Sequence, residues 1–212
     1  MKFVKTSKWL KLLFPNYIWS IANTSKKVFL TFDDGPIPNV TEWVLDILKQ
    51  ENIKATFFCI GDNIRKHPEI FIRILAEGHS IGNHTSNHLN GWNTKTETYY
   101  KNAMLWETIA TEANHSLPEQ KLFRPPYGKI KNKQAKMLQK KGYEIIMWDV
   151  ISYDFDPKIT KEKCLENVLK NTTKGSVIVF HDSLKAKSNL EFALPKTIAA
   201  LKLKGFQFDR IR

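Results

Sequence analysis

The chain has 212 residues, of which 42% are hydrophobic and 12% aromatic. This composition is typical of one globular domain of ordinary size and excludes an intrinsically disordered chain. The two cysteines, Cys59 and Cys164, are too few and too far apart for a disulfide framework or a zinc finger.

The formal net charge of +12 raises the question of a nucleic-acid partner. Lysine supplies 28 of the 33 basic residues, and the lysines are scattered along the chain without a nucleic-acid-binding motif. Arginine, whose planar fork suits phosphate, is rare. The charge is therefore interpreted as solvated helix surface, and we expect no nucleic-acid partner.

Residues 1–25 are predicted to be an N-terminal extension packed on a domain that spans residues 26–212. The extension begins with basic and apolar residues, but Lys11 and Pro15 interrupt the apolar run and no small-residue cleavage site follows. It does not fit a signal peptide and is too short for a transmembrane span, so we expect a cytoplasmic protein. Four apolar side chains are candidates for peripheral contact with a membrane: Trp9, Leu12, Leu13 and Phe14. Packing against the fold is the favoured alternative for them.

Short apolar runs then alternate with amphipathic segments along the chain. Seven runs, in most of which Val, Ile and Phe dominate, are predicted as buried parallel strands: 27–32, 55–60, 79–84, 121–124, 143–149, 176–180 and 206–208. The segments predicted as helices are 39–52, 67–78, 95–113, 132–141, 161–174 and 191–204. Strands joined by helical crossovers predict a single α/β domain whose parallel sheet is open or rolled into a barrel.

Polar side chains stand at the ends of the predicted strands. These residues are Asp33, Asp34, His84, Arg124, Asp149 and His181. In α/β folds the carboxyl ends of the strands carry the active site. We therefore expect residues far apart in sequence to converge on one rim, which favours a barrel-like enzyme.

The histidines of "NHTSNH" are the first candidates for metal ligands. His84 and His88 are four residues apart, a spacing that puts both imidazoles on one face of a helical turn. One carboxylate of the Asp33–Asp34 pair would complete a set of two His and one Asp. Three protein ligands leave a position open for water, as in catalytic zinc sites. The cation would also relieve the repulsion between the two carboxylates and leave the other as a base.

Four motifs together resemble the polysaccharide deacetylase family, also called the NodB-homology or carbohydrate esterase family 4 group. They are "TFDDGP" at 31–36, "HTSNH" at 84–88, "RPPYG" at 124–128 and "VIVFHD" at 177–182, in the order of that family. The resemblance covers the chain from about Val28 to Phe208. It implies a deformed (β/α) barrel of about seven strands. It also implies hydrolytic removal of N-acetyl groups from N-acetylglucosamine-type glycans, such as peptidoglycan or chitin-like oligomers, by metal-bound water.

The resemblance implies roles for four residues of the first two motifs. Asp33 would be the general base, held in place by Arg124 from the third motif. Asp34, His84 and His88 would bind one divalent ion, with Zn²⁺ the favoured metal and Co²⁺, Ni²⁺ and Mn²⁺ as alternatives.

The resemblance also implies roles for residues in the later part of the chain. The backbone N–H of Tyr127 would face the oxyanion, and His181 would be the general acid with Asp154 as its carboxylate partner. Phe155 and Val179 would wall the acetyl pocket.

The segment "WDVISYDFDP" departs from the family pattern. Ile151 stands where an Asp is often found, Phe155 replaces a Trp, and Val179 stands where Leu is frequent. These changes put the shape of the acetyl pocket in question. Asp149 is a weaker candidate for the partner of the acid.

Two alternatives to an N-deacetylase stay open at this point. One is an O-acetyl esterase that acts on a glycan; the other is a catalytically silent glycan- or metal-binding domain. Asp33, Arg124 and His181 argue against the silent domain, because binding needs neither a base nor an acid. The expected partner is an acetylated glycan and the expected oligomeric state is a monomer. Trp92 either stacks on a sugar ring or packs its loop.

Overall fold

The computed structural model describes residues 3–212. Its strands are β1 (Lys27–Asp33), β2 (Thr56–Cys59), β3 (Ser80–Asn83), β4 (Lys121–Phe123), β5 (Tyr143–Ile145), β6 (Val150–Ile151), β7 (Val177–His181) and β8 (Gln207–Phe208). Seven of them form one parallel sheet in the order β5-β4-β3-β2-β1-β7-β6, and β8 pairs with the start of β1. The prediction of a single-domain deformed (β/α) barrel with seven parallel strands is confirmed.

Helices follow most of the strands. They are α1 (Lys8–Leu13), α2 (Thr41–Gln50), α3 (Gly61–Lys66), α4 (Pro68–Ala76), α5 (Thr96–Ala113), α6 (Asn132–Lys140), α7 (Lys161–Asn171) and α8 (Lys187–Leu203), with a 3₁₀ turn at Pro126–Gly128. In α2 the apolar residues Val44, Leu45 and Leu48 recur at helical spacing and are buried. They share one hydrophobic cluster with β1, β2 and β7, so the helix covers one face of the sheet.

The alternation of side chains along β1 sets up the site. Val28, Leu30 and Phe32 pack into the cluster beneath the helices. Phe29 points to the other face and joins a small apolar cluster with residues of β2, β4 and β7. Because side chains alternate in a strand, Thr31 and Asp33 point the same way as Phe29, toward the barrel interior.

One predicted strand divides in the structure. The run 143–149 forms β5 and then leaves the sheet before β6, because the backbone N–H of Met147 donates to the carbonyl of Ile18 from the N-terminal segment at 2.7 Å. Asp149 therefore precedes β6, and the expectation that it ends a strand at the catalytic rim is wrong.

Asp149 instead anchors the N-terminal segment at the amino end of β6, opposite the rim formed by the carboxyl ends of the strands. Its carboxylate accepts hydrogen bonds from Lys5 (2.5 Å), Lys11 (2.6 Å) and Ser176 (2.5 Å). Burial alone would raise the pKa of Asp149, but these three donors lower it below its ordinary value.

The N-terminal segment fills the gap between β5 and β6, the two ends of the sheet order. It makes backbone bridges at Lys5↔Val150, Ile18↔Ile146 and Ser20↔Ser176. The division of the chain into an extension and a domain at residue 25 stays a prediction.

Helix α1 does not follow the expectation that its apolar residues pack on the fold. Trp9, Leu12 and Leu13 are 78%, 70% and 73% exposed, whereas Phe14 stacks on Tyr17 with 5.4 Å between ring centroids. Among residues 3–212, no helix has the length and apolar character needed to cross a membrane.

Candidate active site

The carboxyl ends of β1, β3, β4 and β7 surround a cavity of about 600 Å³. Eight of the ten predicted site residues line it: Asp33, Asp34, His84, His88, Tyr127, Phe155, Val179 and His181. The other two, Arg124 and Asp154, are buried behind this lining and bond to residues within it. The expected convergence on one rim is thus observed for residues that lie up to about 150 positions apart in the chain.

A cluster of three side chains on one side of the cavity can hold a metal ion. Asp34, His84 and His88 each offer one ligand atom, and these atoms lie within 4.8 Å of one another. Nε2 of His84 is 3.7 Å and Nε2 of His88 is 3.2 Å from Asp34 Oδ1. That carboxylate oxygen is buried and accepts no hydrogen bond from the described residues. A buried acceptor without a donor is costly unless a cation satisfies it, so the cluster fits a divalent ion.

Hydrogen bonds at the far side of each ring orient both imidazoles. Nδ1 of His84 lies 2.8 Å from the carbonyl oxygen of Arg124, so this nitrogen carries the proton and Nε2 keeps its lone pair. Nδ1 of His88 lies 3.1 Å from the hydroxyl of Tyr127. Partners of this kind fix the ring position before a metal binds.

The charge states also suit a metal ligand set. Burial, assisted by the neighbouring His88, lowers the pKa of His84 to about 4 against the opposing pull of the aspartates, so its imidazole is neutral at pH 7. Burial alone would raise the pKa of Asp34. The imidazoles of His88, His181 and His84 outweigh that effect and hold the pKa of Asp34 below its ordinary value, which keeps it a carboxylate.

Asp33 has a different partner from its neighbour. Arg124 is fully buried, and its Nη1 donates to Asp33 Oδ1 at 2.6 Å and to Thr31 Oγ1 at 2.7 Å. Nη2 donates to the carbonyl of Met147 at 3.0 Å, and the guanidinium lies 4.0 Å from the ring centroid of Phe58. Every part of the guanidinium is thus held, and it fixes the position of the Asp33 carboxylate.

A histidine–aspartate pair lies on the other flank of β1, at the end of β7. Nδ1 of His181 is 2.8 Å from Asp154 Oδ1, and the backbone N–H of His181 donates to Oδ2 at 2.7 Å. Burial would lower the pKa of His181, but the Asp154 charge and hydrogen bond, with further attraction from Asp34 and Asp33, raise it to about 9. His181 is therefore protonated at neutral pH and can donate a proton.

The 3₁₀ turn places Tyr127 in the wall of the cavity. Tyr127 has φ of 61°, in the left-handed region, and its N–H meets no acceptor among the described residues. Its side chain is 60% exposed and packs against His88, with 4.6 Å between ring centroids. The contact between Tyr127 and His88 was not anticipated, because the two residues belong to different motifs.

The sequence analysis assigns no role to Asp182, although this residue ends the last motif. It is fully buried, and its carboxylate accepts hydrogen bonds from the Gly35 N–H at 3.1 Å and the Thr41 hydroxyl at 2.6 Å. A Cβ on Gly35 would lie 2.0 Å from Asp182 Oδ2, so only glycine fits there. Burial, assisted by the charge of Asp34, raises the pKa of Asp182 to about 7. The first and last motifs are thus in contact behind the metal cluster.

The departures from the family pattern all lie on the cavity wall. Ile151, Phe155 and Val179 line the cavity, and the edge of the Phe155 ring meets His181 with 4.7 Å between centroids. Trp148 also lines the cavity, which the sequence reasoning did not predict. This part of the cavity wall is therefore apolar, as a pocket for a methyl group would need to be.

Both the sequence and the fold have relatives among known proteins. The family profile described as "Polysaccharide deacetylase" matches residues 20–146. A peptidoglycan-N-acetylglucosamine deacetylase of Bacillus cereus is 34% identical over 194 residues, which cover 90% of this chain and 88% of the relative. Chitin deacetylase 2 of Saccharomyces cerevisiae is 36% identical over 183 residues, which cover 82% of this chain and 56% of the relative. The crystal structure of a peptidoglycan N-acetylglucosamine deacetylase with bound 4-naphthalen-1-yl-N-oxidanyl-benzamide has a TM-score of 0.88 at 35% identity, and the match covers 97% of this chain and 95% of that one.

Proposed function

Because the chain belongs to the polysaccharide deacetylase family, we propose that it is a metal-dependent hydrolase that removes N-acetyl groups from N-acetylglucosamine-type glycans. The observation that carries the proposal is the arrangement around the Asp34–His84–His88 cluster. The carboxylate of Asp33, fixed by Arg124, lies beside the cluster, and the protonated His181 lies at the end of the neighbouring strand β7. A domain that only bound a glycan or a metal would need neither of these groups.

The three clustered side chains would hold one divalent ion, for which we favour Zn²⁺ because two imidazoles and one carboxylate are ligands that zinc prefers. The bound ion would lower the pKa of a water molecule and polarise the carbonyl of the acetamide. His84 and His88 would each contribute one imidazole nitrogen, and Asp34 would contribute the one negative charge.

Asp33 would act as the general base. Its carboxylate lies at the cavity surface beside the metal cluster, and Arg124 holds it from behind. It would accept the proton of the water that attacks the acetamide carbon. A correctly placed base of this kind contributes about 10²- to 10⁴-fold to the rate.

Tyr127 and His181 would serve the two later needs of the reaction. The free N–H of Tyr127 would donate to the oxygen that becomes negative as the carbon turns tetrahedral, a contribution of about 3 kcal/mol for one donor. His181 would give its proton to the sugar nitrogen as the C–N bond breaks, so that an amine leaves rather than an amide anion. The products are acetate and a glucosamine unit.

Acetate release is the direct test. The purified protein is incubated with chitin-like oligomers, peptidoglycan fragments and O-acetylated xylan oligomers, after chelation and again after addition of Zn²⁺. We expect zinc-dependent acetate release from the N-acetylated substrates, together with a free amine on the product. The Asp33→Asn protein is the matched control for acetate that arises without the site.

Two results would contradict the proposal. Release from the O-acetylated substrate alone would assign the site to an esterase. No release from any acetylated substrate, by a folded protein that retains its metal, would assign the chain to the silent binding domain.

A further inference from the structure

Helix α1 exposes its apolar face to solvent and turns a lysine inward, which is the opposite of an ordinary surface helix. Its Lys11 turns inward to the buried carboxylate of Asp149, at 2.6 Å. Its apolar residues Trp9, Leu12 and Leu13, at positions i, i+3 and i+4, form one face that is exposed to solvent. A surface helix normally buries its apolar face. The opposite face of the helix is fixed by the ion pair between Lys11 and Asp149. An apolar face left exposed on such a helix indicates that another molecule covers it.

The surroundings of this face carry exposed lysines. Lys8 of α1 is exposed, and the helix contains no acidic residue. Helix α6 lies beside the segment, since Gln139 donates to the carbonyl of Asn16 at 3.2 Å and Lys136 shares a shallow pocket with Leu13.

Helix α6 adds a second row of cations. It exposes Lys133, Lys136 and Lys140 and contains no acidic residue. Within the described chain, none of these three lysines forms an ion pair with an acidic group. Their charge is therefore available to an anionic partner.

We propose that α1 docks the protein on the surface of an anionic lipid bilayer. Trp9, Leu12 and Leu13 enter the boundary between headgroups and acyl chains, and the α6 lysines rest on the negative headgroups. A nucleic acid would use the charge but would leave the apolar face uncovered. A second copy of the chain, docked face to face, would bring the two rows of lysines together at the cost of like-charge repulsion.

The location of the patch gives this docking a consequence for the cavity. A groove of about 420 Å³ lined by Phe3 and Leu10 runs beside the helix, and its far wall includes Tyr127 and Trp148. Both aromatic residues also line the catalytic cavity. A docked molecule therefore has its cavity close to the bilayer surface. The inference goes beyond the proposed deacetylase activity and does not depend on it.

Co-sedimentation with vesicles tests the docking without any enzyme assay. The protein is mixed with phosphatidylcholine vesicles that contain or lack phosphatidylglycerol. We expect clear sedimentation only with the anionic vesicles, and weaker sedimentation as the salt concentration rises. The triple variant Trp9→Ser, Leu12→Ser, Leu13→Ser should bind at least about tenfold more weakly, because binding scales with the buried apolar area.

Matched variants separate the two contributions and control for folding. Leu184→Ser with Leu203→Ser removes two apolar side chains that are 71% and 89% exposed outside the patch, and it should bind as the wild type does. Replacing Lys133, Lys136 and Lys140 by Gln should abolish the preference for anionic vesicles. All these side chains are exposed, so the melting temperatures should match that of the wild type.

Three outcomes would overturn the inference. One is a wild-type protein that sediments with neither kind of vesicle. Another is a triple serine variant that sediments as well as the wild type. The third is light scattering that finds a wild-type dimer and a monomeric triple serine variant, in which case a second copy covers the face.

Discussion

Asp33 and Asp34 are neighbours in the chain, but their carboxylates have separate partners. Strand alternation turns Asp33 toward the barrel interior, where Arg124 donates to it at 2.6 Å. The positive φ of Asp34, 85°, takes the backbone out of the strand and places its Oδ1 among the imidazoles of His84 and His88. Two like charges held apart in this way can serve as a base and as a metal ligand.

The metal cluster leads to a prediction about metal content. His84→Ala or His88→Ala should remove one of three protein ligands, so the purified variant should contain much less zinc than the wild type. His115→Ala, which changes an exposed histidine outside the cluster, is the control. Elemental analysis after dialysis gives the measurement. Equal zinc content in all four proteins would mean that the metal is bound elsewhere or not at all.

The Asp33–Arg124 pair leads to a prediction about catalysis and stability together. Asp33→Asn should lower kcat by about 10²-fold or more while zinc content is unchanged, because the amide cannot accept a proton. The same change leaves a buried guanidinium without its counter-charge, so the melting temperature should also fall. The kcat and the zinc content are measured at a temperature where circular dichroism confirms the fold, and a thermal scan gives the melting temperature. Near-wild-type turnover in a sample checked for deamidation would exclude Asp33 as the base.

His181 and Asp154 predict the alkaline limb of the pH–rate profile. The pKa of His181 is raised to about 9, so the proton donor is present at neutral pH and is lost as the pH rises through that value. Asp154→Asn removes the main interaction that raises this pKa, and the limb should move to lower pH with a smaller rate. Asp149→Asn, at the amino end of β6 and away from the catalytic rim, should leave the limb in place. A limb that did not move in Asp154→Asn would assign it to another group.

The same pair predicts a pH dependence of stability. The folded pKa of His181 lies above its ordinary value of 6.5, so the folded state binds the proton more tightly than the unfolded chain. The stabilisation is complete below about pH 6.5 and disappears as the pH rises through about 9. Urea unfolding of wild type and Asp154→Asn across this window measures it. The difference in free energy of unfolding should shrink toward alkaline pH, and a difference that grew would refute the assignment.

At the scale of elements, long periodic segments were predictable and short ones were not. Helix α2 and strand β1 show clear apolar periodicity, and both were placed within two residues of their observed ends. Helix α3 has six residues and only one buried apolar side chain, Ile64, so periodicity gave no signal. Strand β6 has two residues, and its separation from β5 depends on a partner more than a hundred residues away.

The site followed the same rule. His84 and His181 were predicted from their residue types and from the order of the motifs. The contacts of Asp182 with Gly35 and Thr41, and the place of Trp148 on the cavity wall, depend on how distant strands align. No local pattern in one sequence encodes that alignment.

The anchoring of the N-terminal segment by Asp149 leads to a prediction at this scale. Replacing Lys5 and Lys11 together by Met leaves a buried carboxylate without a cation and should cost roughly 1–3 kcal/mol in the free energy of unfolding, since both lysines are partly exposed. Adding Asp149→Asn to the double variant should restore part of the loss, because no unpaired charge remains. Urea unfolding measures all three proteins. A triple variant less stable than the double would mean that Asp149 stabilises the fold through Ser176 rather than through the lysines.

At the scale of the whole molecule, the barrel is open between β5 and β6, and the N-terminal segment closes the opening. Its backbone bridges reach Ile146, Val150 and Ser176, and its side chains cover apolar residues between the two strands. A chain that starts at residue 26 should therefore expose two strand edges and aggregate on purification. Size-exclusion chromatography of the truncated protein checks this, and a stable monomer would instead support an autonomous domain from residue 26.

The closure of the barrel by its own N-terminal segment also affects the order of events during synthesis. Lys11 leaves the ribosome first, and Asp149, its partner, is 138 residues further along the chain. At ordinary translation rates that interval is on the order of ten seconds. Throughout it, Trp9, Leu12 and Leu13 belong to a nascent segment that has no place to dock, and they present an apolar, lysine-rich stretch of the kind that chaperones or a nearby membrane can bind. The strands from β1 to β4 can pair in sequence during this interval, whereas the N-terminal segment can close the opening between β5 and β6 only after β7 has emerged.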